Sequence, residues 1–301
     1  MLKNCFKIED KEFLDQYLYG FDYKTSGLTF TSLFMWQNLN NFRYEVVDDF
    51  LCISGNSHLE VNKPEPFLFP PLTKSGDYDP EKLSNTIDKV RSLFESKGYL
   101  FTIRLLPFHM IDIIEKAKPN EMEFISDRPN YDYVYKSRDL MELRGRKFHS
   151  KRNHLNHFKA HFDYEYIPLR PEMADECIEF NARLNDDKSI DPKEMELLKM
   201  EEKALISAFS NFDSAGYIGG AIKINGQIEA FTIGGPLGKK SLSVHVEKAN
   251  HQIRGLYQAI NNEFCKANAN YVKYVNREED MGLAGLRKAK MSYRPFKKKK
   301  K

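Results

Sequence analysis

Gly216-Tyr217-Ile218-Gly219-Gly220-Ala221-Ile222-Lys223-Ile224-Asn225-Gly226-Gln227-Ile228-Glu229-Ala230-Phe231-Thr232-Ile233 reads as two strands joined by a two-residue turn. Asn-Gly between apolar alternations is a strong short-range hairpin signal, because both residues tolerate the positive φ of a type I′ turn. An antiparallel meander therefore anchors the second half of the chain. Outward from it, Ser241 to Val246 reads as a further strand. Ile253 to Phe264 reads as a helix with Ile253, Leu256, Tyr257, Ile260 and Phe264 on one face, and Tyr271 to Val275 as a strand followed by an irregular tail. Before the hairpin come a basic helix over Leu143 to Phe162, a strand over Tyr164 to Pro168, a helix over Pro171 to Leu184, and one capped by Asp191-Pro192 that runs to Phe209.

The first half has a similar rhythm. Helices are expected over Asp10 to Leu18 and Phe30 to Trp36. Arg43 to Val47 and Phe50 to Ile53 flank the turn pair Asp48-Asp49. Residues 62–80 read as a loop. Asp79 and Pro80 then open a helix with Leu83, Ile87, Val90 and Phe94 at helical spacing, which stops at Gly98. Strands are expected over Tyr99 to Leu106, Phe124-Ile125 and Tyr133 to Tyr135, with a short helix over Phe108 to Ala117. The fold class is α+β (mixed α/β): two similar lobes, residues 1–138 and 139–301, each a mostly antiparallel sheet flanked by helices.

The chain has 301 residues, enough for two domains of about 150 each. Its 22 Phe and 16 Tyr supply ample core and argue against disorder. Cys5, Cys52, Cys177 and Cys265 are scattered with no ligand spacing, which points to neither a disulfide framework nor a metal site. The polar start and the lack of an 18-residue apolar run lead to the expectation of a cytoplasmic protein, with peripheral membrane contact left open.

A net charge of +3 hides two concentrated basic segments. Arg144, Arg146, Lys147, Lys151, Arg152 and Lys159 fall in one helix with no acid among them. Arg287, Lys288, Lys290, Arg294 and Lys297 to Lys301 form the other. Such segments suit phosphates. His154, His157 and His161 share one face of the basic helix; with cationic neighbours and no carboxylate or thiolate nearby, zinc is not expected there. No Ser-His-Asp pattern and no glycine-rich phosphate loop is recognisable.

The stretch Leu143-Arg144-Gly145-Arg146-Lys147-Phe148-His149-Ser150-Lys151-Arg152-Asn153-His154, the stretch Val275-Asn276-Arg277-Glu278-Glu279-Asp280-Met281-Gly282 with its continuation to Pro295, and Asp132-Tyr133-Val134-Tyr135 together resemble the bacterial family DUF2156. That family is similar to the C-terminal catalytic domain of phosphatidylglycerol lysyltransferase. The resemblance implies a tandem GNAT-like fold, as in the Fem aminoacyltransferases, and transfer of an aminoacyl or acyl group to an amine or hydroxyl acceptor, with aminoacyl-tRNA as the donor. On that reading Glu278, Asp280 and Lys290 are the catalytic candidates. The two carboxylates would accept a proton or bind an ammonium, and Lys290 would meet an oxyanion. Arg146, Lys147, Lys151, Arg152, Asn153, Arg254, Gly255, Asn276 and Arg287 are the substrate-binding candidates, and His245 is a further candidate base.

Gln252-Ile253-Arg254-Gly255-Leu256-Tyr257 stands where acetyltransferases of this fold grip the pyrophosphate of coenzyme A. Tyr257 in place of a small residue disfavours that donor, and neither a resident cofactor nor a metal is expected. Two competing readings remain: a non-catalytic module that binds RNA or an anionic metabolite, and a peripheral binder of anionic membranes that docks through Lys297 to Lys301.

Overall fold

A computed structural model describes residues 2–19, 25–57, 65–185 and 192–299. Residues 1–131 form one compact unit and 132–298 another.

In the first unit, helices α1 (Lys11–Leu18) and α2 (Phe30–Asn40) precede strands β1 (Arg43–Val47), β2 (Phe50–Ser57) and β3 (Glu65–Leu68). The strands form an antiparallel sheet in that order. The β1–β2 turn is the expected Asp48-Asp49 pair, both at positive φ. Helix α3 (Pro80–Glu95) starts where Asp79 accepts from the Lys82 amide at 3.0 Å. Its Leu83, Ile87, Val90 and Phe94 pack against Phe50, Cys52, Leu68 and, from α4 (Ile111–Ala117), Ile114. Each such buried side chain contributes about 1.5–3 kcal/mol.

Two expected strands do not form. Residues 99–106 make only a single bridge, Ile103 with Leu68, and Ile125 lies exposed in irregular chain. Of the expected loop, residues 62–64 lie outside the described residues, as does Asp191.

The second unit is built on seven strands in the order β10-β4-β9-β8-β7-β6-β5. They are β4 (Asp132–Lys136), β5 (Tyr164–Pro168), β6 (Ile218–Ile224), β7 (Gln227–Leu237), β8 (Ser241–Ala249), β9 (Tyr274–Asn276) and β10 (Lys297–Lys299). The β6–β7 hairpin turns at Asn225 and Gly226, both at positive φ, as its sequence requires. Alternation sends Ile222, Ala230 and Leu242 to one face. There α5 (Ser137–Glu142), α6 (His149–His161) and α10 (Leu256–Asn268) supply Leu140, Phe158 and Ile260. Phe231 points to the other face and meets Phe180 of α7 (Ala174–Asn185). Helices α8 (Pro192–Ser210) and α9 (Phe212–Ala215) follow α7.

Three expectations shift. Strand β4 pairs with β9, so 132–136 belongs with the second unit and the division falls before it. The basic helix begins at His149, because Leu143 and Gly145 at positive φ end α5 and start a new turn. The irregular tail contains a helix, α11 (Ala284–Ser292), and the edge strand β10.

Candidate active site

Strands β8 and β9 run parallel for three registered pairs, ending at Ser243↔Asn276. Beyond that point β8 continues to Ala249 while the other chain leaves the sheet, and side chains bridge the gap. Glu278 Oε1 accepts from His245 Nδ1 at 2.7 Å and from Ser243 Oγ at 3.2 Å. Arg277 Nη2 donates to Glu247 Oε1 at 2.7 Å. A bulge sets His245 apart: Val246 opposes Ile233 and Val244 opposes Gly234, leaving His245 as the extra residue. Bulges re-aim side chains next to active sites. The His245 side chain is fully buried, with its ring edge-on to Tyr217.

The loop after β9 is held from several sides. Asn276 donates to Asp132 at 2.9 Å, and its carbonyl oxygen accepts from the Glu278 amide at 2.8 Å. Glu278 sits at φ 57°. Lys290 Nζ donates to the carbonyls on either side of it, those of Arg277 (2.5 Å) and Glu279. Burial pushes the Lys290 ammonium below the usual lysine range, against the opposing pull of Glu278 and Glu279. Asp280 is fully buried. It accepts from Tyr133 Oη at 2.6 Å, from the Gly282 amide at 3.0 Å, and from Arg287 through two nitrogens at 2.9 and 3.0 Å. Its hydrogen bonds and charge raise the Arg287 pKa further.

These contacts redistribute the expected roles. Asp280 has its acceptor positions filled and is no open base. Asn276, a substrate-binding candidate, is engaged by Asp132 and the Glu278 amide. Lys290 is a clamp on two carbonyls rather than an oxyanion donor. Arg287 serves Asp280. Glu278 keeps an opening: its side chain is 16% exposed, and Oε2 has no partner among the described residues. The sequence reading missed Ser243, Glu247, Arg277, Tyr133 and Tyr293. Arg277 was legible only as a neighbour of Glu278, and Glu247 as a second charged residue soon after His245 on an apolar strand.

The basic helix is less free than its sequence suggests. Arg144 pairs with Glu142 and Lys147 with Asp139, both acids of α5; Lys159 pairs with Glu263 of α10. Arg152 Nη1 donates to the carbonyls of Leu143 and Gly145 (2.8 Å), which caps the α5–α6 turn. Asn153 bonds His149 at 3.1 Å. Arg146 stays exposed.

Lys151 turns inward, 4.3 Å above the Tyr293 ring that follows α11, so the two basic segments meet there. Burial and the Arg277 charge push Lys151 down to about 8, with Glu247 opposing. The Arg277 guanidinium lies 4.8 Å from the same ring and 5.8 Å from that of Tyr135, and its Nη1 has no hydrogen-bond acceptor among the described residues. His157 and His161 stack at 4.2 Å, and no metal-binding cluster occurs among the described residues. Burial, then the neighbouring cations, lower the pKa of His154 and His157, which suits neutral rings.

Gly255 at φ 91° lies against α6. A Cβ there would come within 2.2 Å of the His154 carbonyl oxygen. Its lack of a side chain serves helix packing, and the backbone there faces α6 rather than an open ligand site. Arg254 beside it is exposed.

Residues 20–301 match the family described as phosphatidylglycerol lysyltransferase, C-terminal. The chain belongs to this family. Its fold is that of a conserved protein of unknown function from Bacteroides thetaiotaomicron, at TM-score 0.87 and 32% identity over 100% of this chain and 98% of that one. It is also similar to L-PGS from Bacillus licheniformis, at TM-score 0.67 and 13% identity over 100% and 92% of the two chains. FemX matches at TM-score 0.57 and 7% identity over 97% and 94%. The expected mixed α+β, Fem-like architecture therefore stands, and membership of a lysyltransferase family supports the expected acyltransferase class. No described helix is long and apolar enough to cross a membrane.

Proposed function

We propose that the chain is an aminoacyltransferase in which Glu278 is the base. The observation that carries this is its carboxylate, fixed through Oε1 by His245 and Ser243 at the mouth of the β8–β9 splay, with Oε2 open. In the proposed reaction the acceptor amine or hydroxyl attacks the ester carbonyl of an aminoacyl-tRNA while Glu278 takes its proton. The tetrahedral adduct then collapses, and the ribose hydroxyl leaves with that proton. His245 and Ser243 orient the base. Lys290 and Asn276 fix the backbone that carries it.

The family supports aminoacyl transfer, since phosphatidylglycerol lysyltransferase moves a lysyl group. Lys151, a half-buried cation without a carboxylate partner among the described residues, adds positive charge for an anionic donor. The closeness of Gly255 to α6 and the bulk of Tyr257 argue against coenzyme A.

The test is consumption of individually charged tRNAs in the presence of amine and hydroxyl acceptors, phosphatidylglycerol among them. Acceptor-dependent loss of aminoacyl ester is expected, about a hundredfold slower in Glu278→Gln. If no charged tRNA is consumed faster than it decays spontaneously, the reading fails.

A further inference from the structure

Two depressions mark the first unit. The larger, about 540 Å³, lies among Asp48, Asp49, Asp88 and the α3 lysines Lys82 and Lys89. Its charges are matched: Lys89 meets Asp48 at 2.6 Å, Lys82 meets Asp49 at 3.8 Å, and Lys118 meets Asp88 at 2.6 Å. The smaller, about 330 Å³, has two cations and no acid in its wall.

Strand register builds this smaller cavity. Phe50, Cys52, Ser54 and Asn56 alternate onto one face of β2. Arg43 of β1 and Leu68 of β3 both pair with Ser54, and Pro66 pairs with Asn56, so they share that face. Helix α3 packs on its first part, where Leu83, Ile87, Val90 and Phe94 meet Phe50, Cys52 and Leu68. The helix then stops at Glu95, and Gly98 at φ 77° turns the chain. The sheet outlasts the helix, which leaves Arg43, Ser54, Asn56 and Pro66 open to the cavity. Leu2 of the same core also lines it, as do Lys97 and Tyr99 from the turn after α3 and Asn41, the left-handed residue that ends α2.

The wall sets the ligand chemistry. Neither Arg43 nor Lys97 has a carboxylate partner among the described residues. Arg43 gives Nη1 to the Phe42 carbonyl at 2.8 Å, and Glu45, next along the same face, lies 4.0 Å from Lys3. A guanidinium and an ammonium at one cavity with no acid suit a phosphate. The Tyr99 ring is 45% exposed and, with Leu2 and Pro66, offers apolar surface to a flat ring. The amides of Asn41 and Asn56 and the Ser54 hydroxyl provide both donors and acceptors, which the edge of a nucleobase needs. The volume is at the small end of ligand pockets, about 300–1,000 Å³, and suits one nucleotide rather than a strand.

We propose that the first unit binds a free mononucleotide in this cavity, with Arg43 and Lys97 on its phosphate and Tyr99 against its base. The proposal does not depend on the role of Glu278.

The test is isothermal titration calorimetry of the full chain with AMP, GMP, CMP and UMP in turn, and with adenosine, ribose 5-phosphate and the trinucleotide CpCpA. Saturable binding of a mononucleotide is expected, at least about tenfold tighter than adenosine or ribose 5-phosphate, since the one lacks the phosphate and the other the base. Lys97→Glu and Tyr99→Ala alter exposed side chains. Each should weaken binding about tenfold with an unchanged urea midpoint. Lys82→Glu, in the larger depression, should leave binding intact. Absence of saturable binding of all four nucleotides up to about 1 mM overturns the proposal. So does ribose 5-phosphate binding as tightly as the nucleotides, or an equal loss in Lys82→Glu. Tighter binding of the trinucleotide would assign the cavity to an RNA end and overturn it as well.

Discussion

Each of the two compact units buries a lysine, and the two lysines are satisfied in opposite ways. Lys118 in the first unit meets carboxylates, Asp88 at 2.6 Å and Glu121 at 3.7 Å, and both acids remain about half exposed. Lys290 in the second unit donates instead to two backbone carbonyls, with Tyr135 Oη bonded to its own carbonyl at 2.8 Å. The first arrangement neutralises a charge at a helix end. The second uses a charge to hold open the backbone around Glu278, which stands at positive φ between the two clamped carbonyls. A buried ammonium without a direct carboxylate partner is costly. The difference marks 276–280 as a place where stability is spent on positioning.

The largest effect expected follows from removing that clamp. Lys290→Met should abolish transfer and also lower unfolding free energy by about 3 kcal/mol, since two buried carbonyls lose their donor. Urea denaturation and the charged-tRNA assay read both quantities. Lys290→Arg should restore part of the stability. Equal stability of wild type and Lys290→Met would erase the contrast between the two lysines.

Glu278→Gln should separate positioning from chemistry, with transfer down about a hundredfold but stability within about 1 kcal/mol of wild type. A comparable loss of stability would make Glu278 part of the frame instead. Lys118→Met comes next: its former partners stay hydrated, so the cost should be about 1 kcal/mol with no change in transfer rate.

A further effect is a pH slope at Lys151. Its folded pKa of about 8 lies below the ordinary lysine value, so between pH 8 and about 10.4 the unfolded chain binds more protons than the folded one. Stability attributable to this group therefore rises with pH across that window. The difference in melting temperature between wild type and Lys151→Met should shift in favour of wild type from pH 8 to pH 10. A flat difference would place Lys151 in solvent.

Local signals were legible wherever backbone chemistry acts alone. Asn225-Gly226 and Asp48-Asp49 turn as read, and Asp79-Pro80 caps α3. Helix α11 escaped because its only buried residue is Lys290, which gives no apolar stripe, and because Gly282, Gly285 and Pro295 read as breakers. The basic helix was overvalued as a phosphate surface because its neutralising acids, Asp139, Glu142 and Glu263, lie on other helices. Among the site candidates, Glu278 and Asp280 were indistinguishable as two carboxylates of one loop. Tyr133 and Arg287 decide between them by closing around Asp280 alone.

By itself the sequence determined the turns, the caps, the apolar faces and the family, because these depend on residue type within a few positions along the chain. Only the tertiary structure decided which charges are spent and which remain available. Glu278, His245 and Ser243 meet across 33 to 35 positions of sequence, and Asp280 meets Tyr133 across 147. Whether a carboxylate is a base or a brace depends on the donors that reach it once the chain is packed, and no local pattern encodes them.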